Sequence, residues 1–316
     1  GSKIMGAIKG RDAIYVWTDT ALFLMRFVGA PFTFSFEQVG TNCGLFGKNA
    51  AVEVDGSSYW MSENGFFTYD GQLKSMPCLV EDYVYDSVND TSRDLINCGL
   101  NNLFGEINWF YCSENSDVVD RVVTYNYLDS SDKRPIWTTG SLARTAWQDS
   151  SVFNRPHATY YTTGDNNSFD VTGNTDGITI YYNQETGTDQ IDAGGVVTAI
   201  QANILSGDFD ITQKRSNTGQ AVGTPDLRGD GEYIMRISRF IPDFISQTGN
   251  TQISFTTRAY PNSTPATTNF SIEPTTTFKS TRIRARSIAL KVSNTGSNED
   301  WKLGTFRLDI APGGMR

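Results

Sequence analysis

The sequence predicts an all-β chain whose first half is built from β-propeller-type blades, and three observations predict it. Three segments open with the same figure: a strand carrying a tryptophan, a polar turn with an acid, then a strand rich in aromatics. They read Ile14-Tyr15-Val16-Trp17-Thr18-Asp19, Ser58-Tyr59-Trp60-Met61-Ser62-Glu63 and Asn108-Trp109-Phe110-Tyr111-Cys112-Ser113-Glu114. Trp17, Trp60 and Trp109 lie 43 and 49 residues apart, the length a four-stranded unit needs, and such units arranged radially make a propeller. Hydrophobic residues are only 38 % of the chain while Thr, Ser, Asn, Gly and aromatics abound, which suits short strands joined by many turns. Finally, a single stretch reads as helical.

In chain order, Ala13–Thr18 and Thr20–Phe27 read as two strands of a hairpin. Ala50–Trp60 reads as two strands around Asp55-Gly56, the strongest short hairpin signal. Phe66–Tyr69 follows as a third strand, closed by Asp70-Gly71. Leu79–Asn97 reads as helical, with Val80, Val84, Val88 and Leu95 near helical spacing, or equally as a loop with a single helix, and Asp90-Thr91-Ser92-Arg93 reads as the capped start of a short helix. Arg121–Tyr127 is a clear strand, followed by a polar turn and Trp137-Thr138-Thr139-Gly140. In the second half, strands are expected at Ile178–Asn183, Val196–Leu205, Phe209–Thr212, Tyr233–Phe240 and Thr251–Ala259. Residues 261–281, rich in Thr, Ser, Pro and Asn, read as edge structure or an arm. Arg282–Val292 and Trp301–Ile310 read as a final hairpin. The expected division is 1–160, propeller-type blades, and 161–316, a second all-β region that is β-sandwich-like or closes the propeller through that hairpin.

With 316 residues the chain can bury a large core without staples. No segment reaches the roughly 18 consecutive apolar residues of a membrane helix, so no membrane anchor is expected. The opening Gly1-Ser2 reads as a scar or a cleavage remnant, and the chain as a fragment of a longer product. Cys43, Cys78, Cys98 and Cys112 form no Cys-x-x-Cys pair, which argues against zinc. Free buried thiols are expected rather than two disulfides, because a fold of this size needs no cross-link; that favours assembly in a reducing cytosol.

The net charge of −9 is uneven: residues 1–150 hold 11 Lys and Arg against 19 Asp and Glu, and residues 151–316 hold 15 against 16. Lys279–Arg316 reverses the sign, with eight basic and three acidic residues. An acidic chain is a poor general ligand for nucleic acid, and an acidic surface facing DNA keeps it from sticking.

Candidate chemistry is sparse. His157 is the only histidine and has no nucleophile motif near it, so it reads as structural. A glycosidase carboxylate pair is open on sequence alone, but a sialidase-like site needs an arginine cluster and a repeated Asp-box, and neither is legible. Asp165, Asp170 and Asp176 lack the alternating spacing of a calcium loop. Arg228-Gly229-Asp230 reads as a turn. The aromatics Tyr15/Trp17, Tyr59/Trp60, Phe66/Phe67/Tyr69 and Trp109/Phe110/Tyr111 read as core between blades rather than sugar platforms. Trp17, Trp60, Trp109, Trp137 and Trp301 are the blade-core candidates. Beyond Lys279, Arg282, Arg284 and Arg286 have period-2 spacing, which puts all three arginines on one face of a strand. That face is solvated, or meets an acidic neighbouring subunit or phosphates; the three are the interface candidates. No catalytic residue, cofactor or metal is expected.

Further motifs follow one another along the chain: Gly29-Ala30-Pro31-Phe32-Thr33-Phe34, Asn42-Cys43-Gly44-Leu45, Tyr59-Trp60-Met61 through Phe67-Thr68-Tyr69-Asp70-Gly71, and Pro77-Cys78. Then come Gly105-Glu106-Ile107-Asn108-Trp109-Phe110-Tyr111, Asp120-Arg121, Tyr125-Asn126-Tyr127 and Gly140-Ser141-Leu142-Ala143-Arg144-Thr145-Ala146-Trp147. The end reads Trp301-Lys302-Leu303-Gly304-Thr305-Phe306-Arg307-Leu308-Asp309 and Pro312-Gly313-Gly314-Met315-Arg316. In this order they resemble the C-terminal portion of the tail hub or nozzle proteins of short-tailed bacteriophages, the packaged-DNA stabilisation group. The resemblance covers most of the chain, is weakest at 160–200 and 260–280, and departs from the family pattern at Met315. It implies a structural viral protein of the virion tail, assembled in the host cytoplasm as a homo-oligomer, a hexameric ring. Such a ring retains packaged DNA and forms part of the ejection channel, contacting adaptor and portal-side proteins above and fibre or needle proteins below. DNA would pass through without sequence-specific binding. The alternative is a carbohydrate- or receptor-binding propeller of a phage tail, with a glycan hydrolase third.

Overall fold

A computed structural model of the chain describes residues 1, 3–149, 154–163, 178–185, 187–191, 195–211, 233–260, 262–294 and 296–315. The described residues are almost entirely β, as expected from the composition, and divide into two compact units, Gly1–Thr186 and Gly187–Arg316.

The first unit opens with three antiparallel four-stranded meanders, each in sequence order. They are β1 (Ile4–Lys9), β2 (Ile14–Thr18), β3 (Ala21–Phe27) and β4 (Phe34–Thr41); β5 (Ala51–Val54), β6 (Ser57–Ser62), β7 (Gly65–Tyr69) and β8 (Leu73–Met76); and β9 (Asn97–Asn101), β10 (Glu106–Tyr111), β11 (Arg121–Asn126) and β12 (Trp137–Gly140). A three-stranded sheet of β13 (Ala146–Gln148), β14 (His157–Thr163) and β15 (Ile178–Gln184) follows. Residue 160, the expected division, lies inside β14, which pairs along its length with β15.

The β5–β6 turn shows why the Asp-Gly signal is strong. Asp55 and Gly56 both adopt positive φ, 51° and 83°, the backbone that matches the twist of a two-residue hairpin. The Glu53 carboxylate accepts the Gly56 N–H at 2.7 Å. Of the two readings of 79–97, one continuous helix does not form: the segment is loop with a five-residue α1 (Glu81–Tyr85) and a separate 3-10 turn at Asp90–Leu95. Only Val84 of its apolar set is fully buried, and Leu95 is exposed, so no continuous apolar face exists to hold one long helix. The capping residue is Asn89, whose side chain accepts from the Thr91 N–H at 3.0 Å, rather than Asp90.

Strand β10 is buried on both faces. Ile107, Trp109 and Tyr111 join the main core of the unit, and Phe110 joins a smaller cluster with Cys112, Val119 and Val122 against Trp147. Trp147 stacks on Phe110 with ring centroids 5.8 Å apart and lies directly over Gly99, where an added Cβ would sit 2.6 Å from the Trp147 Cγ.

The second unit contains β16 (Asp189–Ile191), β17 (Val197–Ala199), β18 (Asn203–Leu205), β19 (Tyr233–Ile241), β20 (Phe244–Thr248), β21 (Thr251–Arg258) and β22 (Ala266–Ile272). It ends with β23 (Lys279–Ala285), β24 (Ser287–Ser293), β25 (Asp300–Leu303) and β26 (Arg307–Met315). A four-stranded sheet, β18-β24-β21-β22, and a three-stranded sheet, β23-β19-β26, hold its core between them. Phe240 of one sheet meets Phe255 of the other at 5.2 Å, so this half is sandwich-like. The strand expected at Val196–Leu205 is split into β17 and β18, and Phe209 makes a single bridge to Ile288.

The expected final hairpin does not form. Arg282–Val292 changes sheets at Arg286: β23 pairs with β19, and β24 pairs with β21 and β18. Trp301–Ile310 likewise divides between β25, paired with β20, and β26, paired with β19. The first segment thus serves both sheets that hold the core, and the second passes from a two-stranded sheet into the three-stranded one. The segment 266–272 is an edge strand, in line with its polar composition.

Gly99→Val is expected to displace Trp147 from Phe110. It should cost roughly 1–3 kcal/mol of stability by overpacking, read as a lowered midpoint in denaturant unfolding.

Candidate functional site

The tryptophans are structural fasteners. Trp17, Trp60 and Trp109 are fully buried and Trp137 is nearly so. Trp17 meets Trp60 edge-on at 5.3 Å, and Trp109 stacks on Trp137 at 6.0 Å. The indole N–H of Trp60 donates to the Cys43 carbonyl at 2.8 Å and that of Trp109 to the Ala50 carbonyl at 2.9 Å. Trp137 donates to the Pro77 carbonyl at 2.9 Å and Trp147 to the Leu100 carbonyl at 2.8 Å. Each of these tryptophans thereby ties its own sheet to an earlier stretch of chain. The Trp17 Nε1 is buried and meets no acceptor among the described residues. Trp301 belongs to the second unit, half-buried and edge-on to Phe244 at 6.5 Å. With Tyr15, Phe66, Tyr69, Phe110 and Tyr111 also buried, these side chains form no sugar-stacking platform.

The groups with chemical potential are dispersed. His157 lies in β14 opposite Gln148 and Gln184. The four cysteines are free; burial pushes the Cys78 and Cys112 thiols up to about 11 and Cys98 well above its ordinary value. Among the described residues no group of three His, Cys, Asp or Glu is placed to hold a metal. Asp165, Asp170, Asp176 and Arg228-Gly229-Asp230 lie outside the described residues. A shallow cleft of about 370 Å3 contains Glu53 and Asp55 beside Arg11, but Glu53 is engaged in the hairpin turn. Burial raises the Glu106 carboxyl above its ordinary range, opposed by a hydrogen bond from Asn101.

The arginines give the clearest surface feature. On β23, Arg282 and Arg284 are exposed while Ile283 and Ala285 are buried, so the period-2 reading places those two on one face. Arg286 lies one residue past the strand, at the sheet crossing, with its guanidinium 5.5 Å from the Tyr260 ring centre. Strand pairing adds Arg236, also exposed, directly opposite Arg284. No acidic partner contacts Arg236, Arg282 or Arg284 among the described residues, whereas Arg239 and Arg307 on the same sheet pair with Asp309 and Asp243 at 2.6 and 3.2 Å.

At the end of β23 these residues border an open cleft of about 400 Å3, lined by Arg258, Arg284 and Arg286 with Tyr260, Ser263 and Thr264. Asp208 grips the Arg258 guanidinium with both oxygens, at 2.6 and 2.5 Å, and accepts the Ser287 hydroxyl at 2.8 Å. The Ser263 hydroxyl accepts the N–H groups of Ala259 and Tyr260 at 3.1 and 3.2 Å and donates to the Tyr260 carbonyl. The wall carrying Tyr260 is therefore fixed in place by its own turn. Sequence reasoning missed Arg236 and Arg258; the alternation of Tyr233, Met235 and Ile237 with Arg236 was the available signal for the first.

No protein-family model and no curated protein matches the chain. A solved structure titled "Glycoside hydrolase" aligns over 94 % of this chain and 83 % of its own, at 9 % identity and a TM-score of 0.26, a likeness too low to carry an argument.

Two outcomes are expected. Trp60→Phe leaves the buried Cys43 carbonyl without its donor, while Trp17→Phe orphans nothing, so in matched denaturant unfolding the former should cost about 1–3 kcal/mol more. Because the Glu106 pKa is raised on folding, folding takes up a proton there. Its contribution is unimpaired below the unfolded value of about 4.3 and is lost as pH rises through the folded value. Glu106→Gln should raise the unfolding midpoint at pH 7 and leave it unchanged near pH 3.

Proposed function

We propose that the chain is a structural, non-catalytic component of a short-tailed bacteriophage tail. In this reading it is a hub or nozzle in the virion, assembled as a homo-oligomeric, hexameric ring that retains packaged DNA and forms part of the ejection channel. The family resemblance of its ordered motifs supports this reading, and the observation that carries it structurally is the separation of charge. The second unit presents Arg236, Arg282 and Arg284 on one sheet face with no acid to meet them among the described residues. Residues 1–150 carry an excess of eight acidic charges. A basic face on one copy and an acidic surface on the next are complementary in a head-to-tail sense, and a head-to-tail contact that closes makes a ring. Acidic side chains remaining on the channel wall would repel the DNA backbone. Adaptor, portal-side, fibre or needle proteins are the further partners the reading entails.

Burial of Trp60 and Trp109 weighs against a receptor-binding propeller that uses those rings on glycans. Solution mass and negative-stain electron microscopy test the proposal. The parent chain should form rings with an axial hole, and Arg236→Glu, Arg282→Glu and Arg284→Glu combined should weaken assembly at least about tenfold, with high salt mimicking the effect. A parent chain that stays monomeric with its natural tail neighbours present overturns the ring; rings indifferent to the reversal overturn the arginine contact.

A further inference from the structure

The cleft at the sheet crossing of the second unit adjoins the proposed assembly face, shares Arg284 with it, and has a lining of its own. Its lining brings together three guanidiniums and no carboxylate among the described residues. The three are not equivalent. Arg258 is neutralised by Asp208, outside the lining. Arg286 lies over Tyr260, an arrangement in which the ring orients the guanidinium plane. Arg284 has no acid beside it among the described residues and stands opposite Arg236 across the strand pair, and like charges in that relation destabilise a sheet. Arg284 thus gives the concavity a positive charge that a bound anion would relieve. Tyr260 is 62 % exposed, a large value for an aromatic whose backbone is pinned by three hydrogen bonds to Ser263. Ala266, Ala285 and Ile234 add an apolar floor.

We propose that this cleft binds a small oxyanion, carboxylate or phosphate, carried on a sugar-sized ring. A guanidinium fork takes either oxyanion through paired N–H donors. The open side of Tyr260 packs on the flat or apolar face of the attached ring. A volume of about 400 Å3 falls in the range of small-ligand pockets, about 300–1,000 Å3. The turn that positions Tyr260 and the Asp208 clamp on Arg258 are held by the chain's own hydrogen bonds, so little ordering opposes binding. Acidic sugars and nucleotides both supply this chemistry, and they differ in the ring.

Titration calorimetry on the whole chain tests this with glucuronate, glucose 1-phosphate, adenosine monophosphate, inorganic phosphate and neutral glucose. The ring-bearing anions should bind and glucose should not. Arg284→Gln should weaken them at least tenfold. Tyr260→Ala should weaken them severalfold while leaving inorganic phosphate unchanged. Lys302→Gln, which removes an exposed charge from β25 outside the cleft, should change nothing and so separates the site from general charge attraction. Tighter binding of the nucleotide or of the acidic sugars identifies the ring, and either ranking supports the site. Both cleft side chains are surface groups, and an unchanged unfolding midpoint verifies that the variants fold. Absence of heat with every anion, equal binding of glucose, or affinity indifferent to both cleft substitutions overturns the proposal.

Discussion

The first unit depends on one recurrent contact, an indole N–H donated to a main-chain carbonyl of another segment inside an aromatic core. Each such contact does two things at once. It buries a ring of the largest size available, and it satisfies a carbonyl that the packed sheets would otherwise leave unpaired away from water. A hydrophobic contact alone is tolerant of sliding; the hydrogen bond is not. Trp60, Trp109, Trp137 and Trp147 therefore set the register of sheet against neighbouring chain as well as filling space. The close approach of Trp147 to Gly99, where no side chain fits, comes from the same demand. Trp17 is the exception, with the packing and without an acceptor among the described residues.

The second unit solves a different problem. Its strands must line two inner faces, and the chain does so by leaving one sheet for the other between Ala285 and Ser287. A crossing of this kind leaves a corner where neither sheet continues. Arg286 occupies that corner, Arg284 flanks it on one sheet and Arg258 on the other, opposite Ser287. The convergence of three arginines is thus a product of topology, and the clamp by Asp208 keeps one of them from repelling the others.

How much of this was legible depended on range. The Asp55-Gly56 hairpin was readable because the turn conformation is decided by two adjacent residues. The burial of Trp17, Trp60 and Trp109 was readable from strand alternation and repeat spacing. Over 79–97 the sequence left a long helix and a loop with one short helix equally open, because spacing of apolar residues says nothing about whether a core exists for them to face; only Val84 found one. The closing hairpin failed because adjacency in sequence was taken for adjacency in the sheet, and the partners of β24 and β26 lie far back in the chain. The arginine cleft was illegible for that reason too: Arg236 and Arg258 reach Arg284 and Arg286 only through pairings that join distant strands.

The direction of the indole contacts has a consequence for how the molecule is made. In every case the acceptor precedes the donor along the chain, by 17 residues for Trp60, 59 for Trp109, 60 for Trp137 and 47 for Trp147. A chain growing from its amino end always has the carbonyl in place before the tryptophan that will grip it. None of these four indole donors waits for an acceptor not yet synthesised. These four bonds are dovetailed in one direction, so each donor can lock to main chain already made as it emerges, while ring contacts such as Trp17 on Trp60 close only when the later partner arrives.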